Sequence, residues 1–234
     1  MAAEALDHLP EDDPAALRSR RDLQRVHRAM GTRTILRRAL RNMTVERREA
    51  PVRILELGAG DGSLMLGVAH ARLPSWSQVE LSLLDRQALV SDATLAGYRA
   101  AGWSARNEVV DVFAWASQPA DASQRWDLIV ANLFMHHFEP PELATLLGAI
   151  EARCTCFFAC EPRRSRLALV GSHLVGLIGA NAVTRNDAVL SVRAGFRDRD
   201  LSTLWPGGTA DWTLHERAAG PFSHCFTALR READ

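Results

Sequence analysis

The chain has 234 residues, of which 47% are hydrophobic, and its 28 basic and 28 acidic residues cancel to zero net charge. That length and apolar content suit one α/β domain with a substantial core, and neutrality removes any global attraction to nucleic acid or to an anionic membrane. No stretch of about 18 apolar residues and no charged-then-apolar leader occurs, so a cytoplasmic protein without membrane insertion is expected.

The N-terminus MAAEALDHLPEDDP, residues 1–14, reads as a disordered acidic leader. Residues 15–29 and 33–48 pattern as two basic amphipathic helices divided at Gly31, so 15–50 is expected to be a helical lid and 51–234 the main domain. Their arginines, among them Arg20, Arg21, Arg25 and Arg28, lack interleaved aromatics and read as a solvated face; Arg21, His27 and Met30 are the members expected to line a cleft. All the basic residues are arginine and none is lysine, a codon-level pointer to a GC-rich bacterial genome.

Apolar runs then alternate with helical patterns, the rhythm of a parallel sheet with crossover helices. Strands are expected at 52–57, 78–84, 105–110, 126–131 and 153–160, with helices at 61–71 and 87–101 and one that starts after Pro140-Pro141 and runs to 152. Segments 211–217 and 222–229 read as a closing hairpin around Gly220-Pro221. Ahead of this hairpin, after strand five, Leu167 to Ala180 is apolar almost all round and too short to span a bilayer; it is expected to roof a substrate pocket. Cys154, Cys156, Cys160 and Cys225 fall in strand patterns and read as buried core residues, with no metal-ligand spacing and no disulfide frame.

The most informative run is Val52-Arg53-Ile54-Leu55-Glu56-Leu57-Gly58-Ala59-Gly60-Asp61-Gly62-Ser63, an apolar strand ending in an acid, then a glycine turn opening a helix. Dinucleotide sites space their glycines G-x-G-x-x-G to seat a pyrophosphate. Here the spacing is G-x-G-x-G, and Glu56 would repel a pyrophosphate while suiting a ligand with an ammonium group. The run resembles motif I of the class I S-adenosylmethionine (SAM) dependent methyltransferases. That resemblance implies a doubly wound, seven-stranded Rossmann-like sheet of order 3-2-1-4-5-7-6 with strand seven antiparallel, and SAM as cofactor.

The resemblance also implies roles at other strand ends. Asp85, followed by Arg86, would chelate the ribose hydroxyls. Asp111 and Val112 would meet the adenine, and Asn132 and Leu133 would contribute mainly backbone atoms. The segment Asn132-Leu133-Phe134-Met135-His136-His137-Phe138 is similar to the strand-four motif of ubiquinone and menaquinone methylases and related small-molecule enzymes. By that likeness His136 is the candidate general base and His137 its support on the substrate side, since neutral imidazole can accept a proton from a phenol as it is methylated. Glu161 at the end of strand five, and Arg164 beside it, are further substrate-side candidates, with Glu161 alternatively capping the loop before Pro162.

The expected function is methyl transfer to a small, largely apolar aromatic acceptor of phenolic or quinol-like type. Two rivals are a nicotinamide-dependent oxidoreductase on the same sheet and a methyltransferase-fold protein that has lost catalysis. No metal, nucleic acid or membrane partner is expected, and the sequence leaves the oligomeric state, homodimer included, open.

Overall fold

Strand β1 (Val52–Leu57) is buried along nearly its whole length, as a parallel strand covered on both faces must be. The computed structural model describes residues 13, 14, 18, 19, 22, 25, 26, 28, 30–42, 50–71, 78–121, 125–174 and 181–231. The leader (but for Asp13 and Pro14), Arg21, His27 and the end of the apolar stretch, 175–180, lie outside the described residues.

After helix α1 (Thr32–Asn42), which follows a turn at Gly31, β1 leads through α2 (Ser63–Ala69) to β2 (Val79–Asp85). Helix α3 (Asp92–Ala100) then connects to β3 (Trp103–Val109), and α4 (Val112–Ala116) to β4 (Leu128–Asn132). A single 3-10 turn (Met135–His137) precedes α5 (Pro140–Arg153) and β5 (Cys156–Pro162). The chain continues through α6 (Arg166–His173), α7 (Ala182–Ala194) and α8 (Asp200–Leu204) into the hairpin β6 (Trp212–Ala219) and β7 (Ser223–Arg230).

The sheet order is β3-β2-β1-β4-β5-β7-β6. Strands β1 to β5 pair in parallel, while β7 runs antiparallel to both neighbours. This is the topology expected, and the strand order reverses between β1 and β4, where α/β sheets place their ligands. Two apolar layers hold it: α1, α2 and α3 pack on one face around Leu36, Ile54, Met65 and Phe158, and α5, α8 and the second face meet around Leu57, Leu146, Phe157 and Trp212.

Where boundaries differ from expectation, local chemistry explains the shift. Helix α3 starts at Asp92, not near 87, because Ser91 caps it by accepting the Thr94 N–H (3.1 Å). Strand β3 begins at Trp103, whose ring stacks on the buried Tyr98. Strand β5 starts later than expected, at Cys156, and runs to Pro162, so Glu161 is a paired residue within the sheet. Helix α5 begins at Pro140, earlier than the expected start after Pro140-Pro141, with both prolines in its first turn and a capping box between Glu139 and Glu142. Helices α7 and α8 were not anticipated. All four cysteines are buried and free, in keeping with core roles. No described helix is long and apolar enough to cross a membrane.

Candidate functional site

A cavity of about 580 Å³ opens at the carboxyl ends of β1, β2 and β4, where the strand order reverses. One wall is the glycine turn after β1. Gly58 has φ +65° and packs so closely under Phe134 that a Cβ there would overlap the ring, so only glycine suits the position. Gly58, Ala59, Gly60 and Asp61 all line the cavity. Gly62 does not: at φ +70° it starts α2, and its carbonyl accepts the Tyr98 hydroxyl at 2.6 Å. Burial pushes the Tyr98 phenol well up, which keeps it a neutral donor locking the turn from behind.

Glu56, next to last in β1, faces this cavity and is 2% exposed, and its buried Oε2 has no hydrogen-bond partner among the described residues. Desolvation, with help from the Asp61 and Asp85 charges, raises its pKa from 4.5 to about 8. An isolated carboxyl held dry beside a ligand-sized space is costly unless a cation or donor completes it. On the neighbouring strand Asn132 also lines the cavity, and its buried Oδ1 likewise has no donor among the described residues. Two acceptor oxygens at adjacent strand ends thus wait for N–H groups. The sequence had pointed only to backbone atoms at Asn132.

The other cofactor candidates stand around the same cavity. Asp85 accepts the Gly60 N–H on Oδ2 (2.9 Å) and the Gln87 N–H on Oδ1 (3.0 Å); each oxygen keeps a second lone pair, enough for a vicinal diol. Asp111 caps α4, its Oδ1 accepting the Phe113 (2.8 Å) and Ala114 (3.2 Å) N–H groups. Asp111, Val112, Arg86 and Leu133 all line the cavity.

The strand-four segment turns sharply at Leu133, a non-glycine residue at φ +51°. Such a conformation is uncommon and carries strain that the surroundings must hold. What holds it is Glu161: Oε1 accepts the Phe134 and Met135 N–H groups, each at 3.0 Å, and Oε2 lies 2.7 Å from Nδ1 of His136. Glu161 has no exposed surface and His136 is 3% exposed. Beside a carboxylate, Nδ1 carries the ring proton, so Nε2 is the nitrogen with a lone pair in the neutral imidazole. His136 and His137 both line the cavity, their ring centroids 4.3 Å apart.

Besides Gly62, two substrate-side expectations are corrected. Glu161 does not line the cavity, because its oxygens are spent on the Leu133 turn and on His136; it fixes the imidazole and does not face a substrate. Arg164 points elsewhere too, donating to Asp200 at 2.7 Å near the start of α8. Met30 does line the cavity, together with Ser19 and Val26 of the N-terminal segment. That segment is fastened to α7, where Asp22 accepts the Asn181 N–H (2.9 Å) and Ser19 bonds the Asn181 side chain. Arg25 and Arg28 are exposed, as a solvated face requires.

Helix α6 supplies part of the expected roof through Ala168, Gly171 and Ser172, while Leu167 and Val170 on its other side are exposed. The remaining wall was missed: α7 contributes Thr184, Asp187, Ala188 and Ser191, and Phe222 closes one side from the hairpin turn. The sequence signal for α7 was weak because its apolar positions follow no clean stripe; Asn181, accepting the Thr184 N–H at 2.9 Å, was the cap that could have marked it.

No protein-family model matches the sequence, and no curated protein matches it. Solved structures do match in fold. The plantazolicin methyltransferase BpumL in complex with SAH superposes with a TM-score of 0.64 at 13% identity, over 94% of this chain and 92% of that one. The plantazolicin methyltransferase BamL, with a triazolic desmethylPZN analog and SAH, gives 0.61 at 14% identity over 97% and 93%. Magnesium protoporphyrin IX methyltransferase (ChlM) from Synechocystis PCC 6803 with bound SAH gives 0.52 at 11% identity, over 97% and 91%. The chain therefore has the class I SAM-dependent methyltransferase fold.

Proposed function

We propose that the protein is a SAM-dependent methyltransferase acting on a small, largely apolar acceptor, an aromatic ring with a phenolic or quinol-like hydroxyl. The observation that carries the cofactor reading is the buried Oε2 of Glu56, which has no partner among the described residues and faces a cavity walled by the glycine turn. An ammonium group would complete Glu56, and the diol of a ribose would bridge the remaining lone pairs of Asp85. Asp111 and Val112, which line the same cavity, would hold the adenine end. Bound there, SAM would supply an electrophilic methyl group on a sulfonium. The same fold carrying SAH in the plantazolicin enzyme and in ChlM supports this choice.

The acceptor reading rests on the cavity's other half. Phe134, Phe138, Phe222, Met30 and Val26 give it an apolar, partly aromatic wall. The Glu161-held His136 stands on that wall as the base that receives the acceptor's proton at Nε2, a contribution of roughly 100 to 10,000-fold in rate. The N-terminal segment, 15–50, is read as the lid over this space. In this reading the protein is a cytoplasmic enzyme of small-molecule metabolism. Against a nicotinamide cofactor stands Glu56, which would face a pyrophosphate with a carboxyl of the wrong sign.

Calorimetry with SAM, S-adenosylhomocysteine and NAD tests the cofactor. Native protein should bind the first two and not the third, and Asp85→Ala should weaken SAM at least about tenfold, having lost charge-assisted bonds worth about 1.5–3 kcal/mol each. Unchanged affinity in that variant, or tight NAD binding, would overturn the assignment. Labelled SAM with a panel of alkyl phenols, amines, carboxylates and RNA tests the acceptor; transfer only to RNA or protein would overturn the aromatic reading alone.

A further inference from the structure

Strands β5 and β7 place Cys160 directly opposite Cys225. The Arg163 N–H donates to the Phe222 carbonyl and the Arg230 N–H to the Thr155 carbonyl, both at 2.8 Å, across the same antiparallel ladder. These bonds mark 163 with 222 and 155 with 230 as hydrogen-bonded pairs, so alternation makes Cys160 with Cys225 a non-hydrogen-bonded pair. Such pairs hold their Cα atoms about 4.5 Å apart with side chains on one face, at the near end of the range a disulfide spans, about 4.4–6.8 Å. Both side chains are buried on that face.

The partners of Cys225 are those of a reactive thiol. The hydrogen bond from Cys160 and the charge of Arg217, its opposite number on β6, favour its thiolate and hold its pKa below the usual thiol value, while Cys160 is pushed up. Cys225 also lines a second cavity of about 230 Å³ with His215, Arg217 and Thr227. Cys154 and Cys156 share neither feature: burial raises both, which makes them poor nucleophiles.

We propose that Cys160 and Cys225 form a reversible thiol–disulfide modification site, oxidised by a small hydroperoxide that enters beside Arg217, and that the bridge loosens the His136–Glu161 pair. In the first step the Cys225 thiolate attacks a peroxide oxygen, the O–O bond breaks, and hydroxide leaves as water, giving a sulfenic acid. Cys160 then attacks that sulfur, the S–S bond forms, the S–O bond breaks and a second water departs. Two thiols are oxidised and one hydrogen peroxide is reduced to two waters.

The link to the site is covalent. The Cys160 carbonyl accepts the Leu133 N–H at 2.9 Å, and the next residue is Glu161. Disulfides favour Cα separations of about 5.5–6 Å, so bridging spreads β5 from β7 by about 1 Å and moves the carboxylate that positions His136. The strain also makes the bond easily reduced.

The test exposes the full chain to hydrogen peroxide, alkylates under denaturing conditions and maps peptides by mass. Two of the four thiols should be lost, in a single Cys160–Cys225 peptide, and dithiothreitol should restore both. Four alkylated cysteines after oxidation, or a bridge between other partners, would overturn the site. The imidazole NMR signal of His136, identified by its loss in His136→Gln, reads the coupling without any substrate or cofactor. It should shift on oxidation of the native chain and stay fixed in Cys225→Ala; a bridge that forms without moving it would overturn the link to the dyad. If Cys225→Ala does not fold, the native protein before and after dithiothreitol gives the same comparison.

Discussion

Replacing Glu56 by glutamine should stabilise the protein at neutral pH while removing its affinity for SAM. The carboxyl ionises near 4.5 in the unfolded chain but near 8 in the fold, where burial and the charges of Asp61 and Asp85 oppose its charge. Folding is therefore favoured by the bound proton below pH 4.5, and that advantage is lost as pH rises towards 8. Linkage puts the loss between about pH 5 and pH 8 at roughly 3 kcal/mol, which for a chain of this size is about 6–12 °C in Tm. Glutamine has the same shape and no charge to lose, so its Tm should fall much less over that range. The native chain should also bind SAM more tightly as pH rises from about 6 to 8, by roughly tenfold or more, because an ammonium selects the ionised carboxyl. Differential scanning fluorimetry across pH, with calorimetry on both proteins, measures all of this. Parallel Tm profiles for the two chains, or SAM binding equal in both, would refute the reasoning.

Four further outcomes are expected. His136→Ala should lower kcat by roughly 100-fold or more with SAM binding nearly unchanged, and lose less when the acceptor is already ionised at high pH; Glu161→Gln should cost less if its amide still braces the Leu133 turn. Full activity in His136→Ala would remove the base from the mechanism. Gly58→Ala should abolish SAM binding at a measurable cost in Tm, since the added methyl meets both a positive φ and the Phe134 ring; binding at native strength would mean that the turn does not shape the site. Turnover should survive EDTA, and activity lost to the chelator and restored by magnesium would overturn the metal-free reading.

The sheet was legible in the sequence because its signals are local. Buried parallel strands read as short apolar runs, and glycines and acids stand at their carboxyl ends whatever the rest of the chain does. Hence Glu56, Gly58, Asp85 and Asp111 were placed at the cavity from the sequence, and the strand order followed from the resemblance that motif carried. Edges were less certain, since a strand end is set by its partner: β5 runs on to Pro162 because β7 pairs with it to Ser223.

Tertiary structure decided how the acids are used. Glu161 and His136 are 25 residues apart, and only the parallel register that sets Asn132 against Cys160 brings the carboxylate level with the turn it braces. No local pattern could distinguish that role from contact with a substrate, because a buried orienting carboxylate and an exposed binding one are spelled by the same residue. The α7 wall, and the meeting of Cys160 with Cys225 across strands joined only at the end of the fold, are likewise consequences of packing. Sequence determined which residues stand at the strand ends; the pairing of distant strands determined which of them touch.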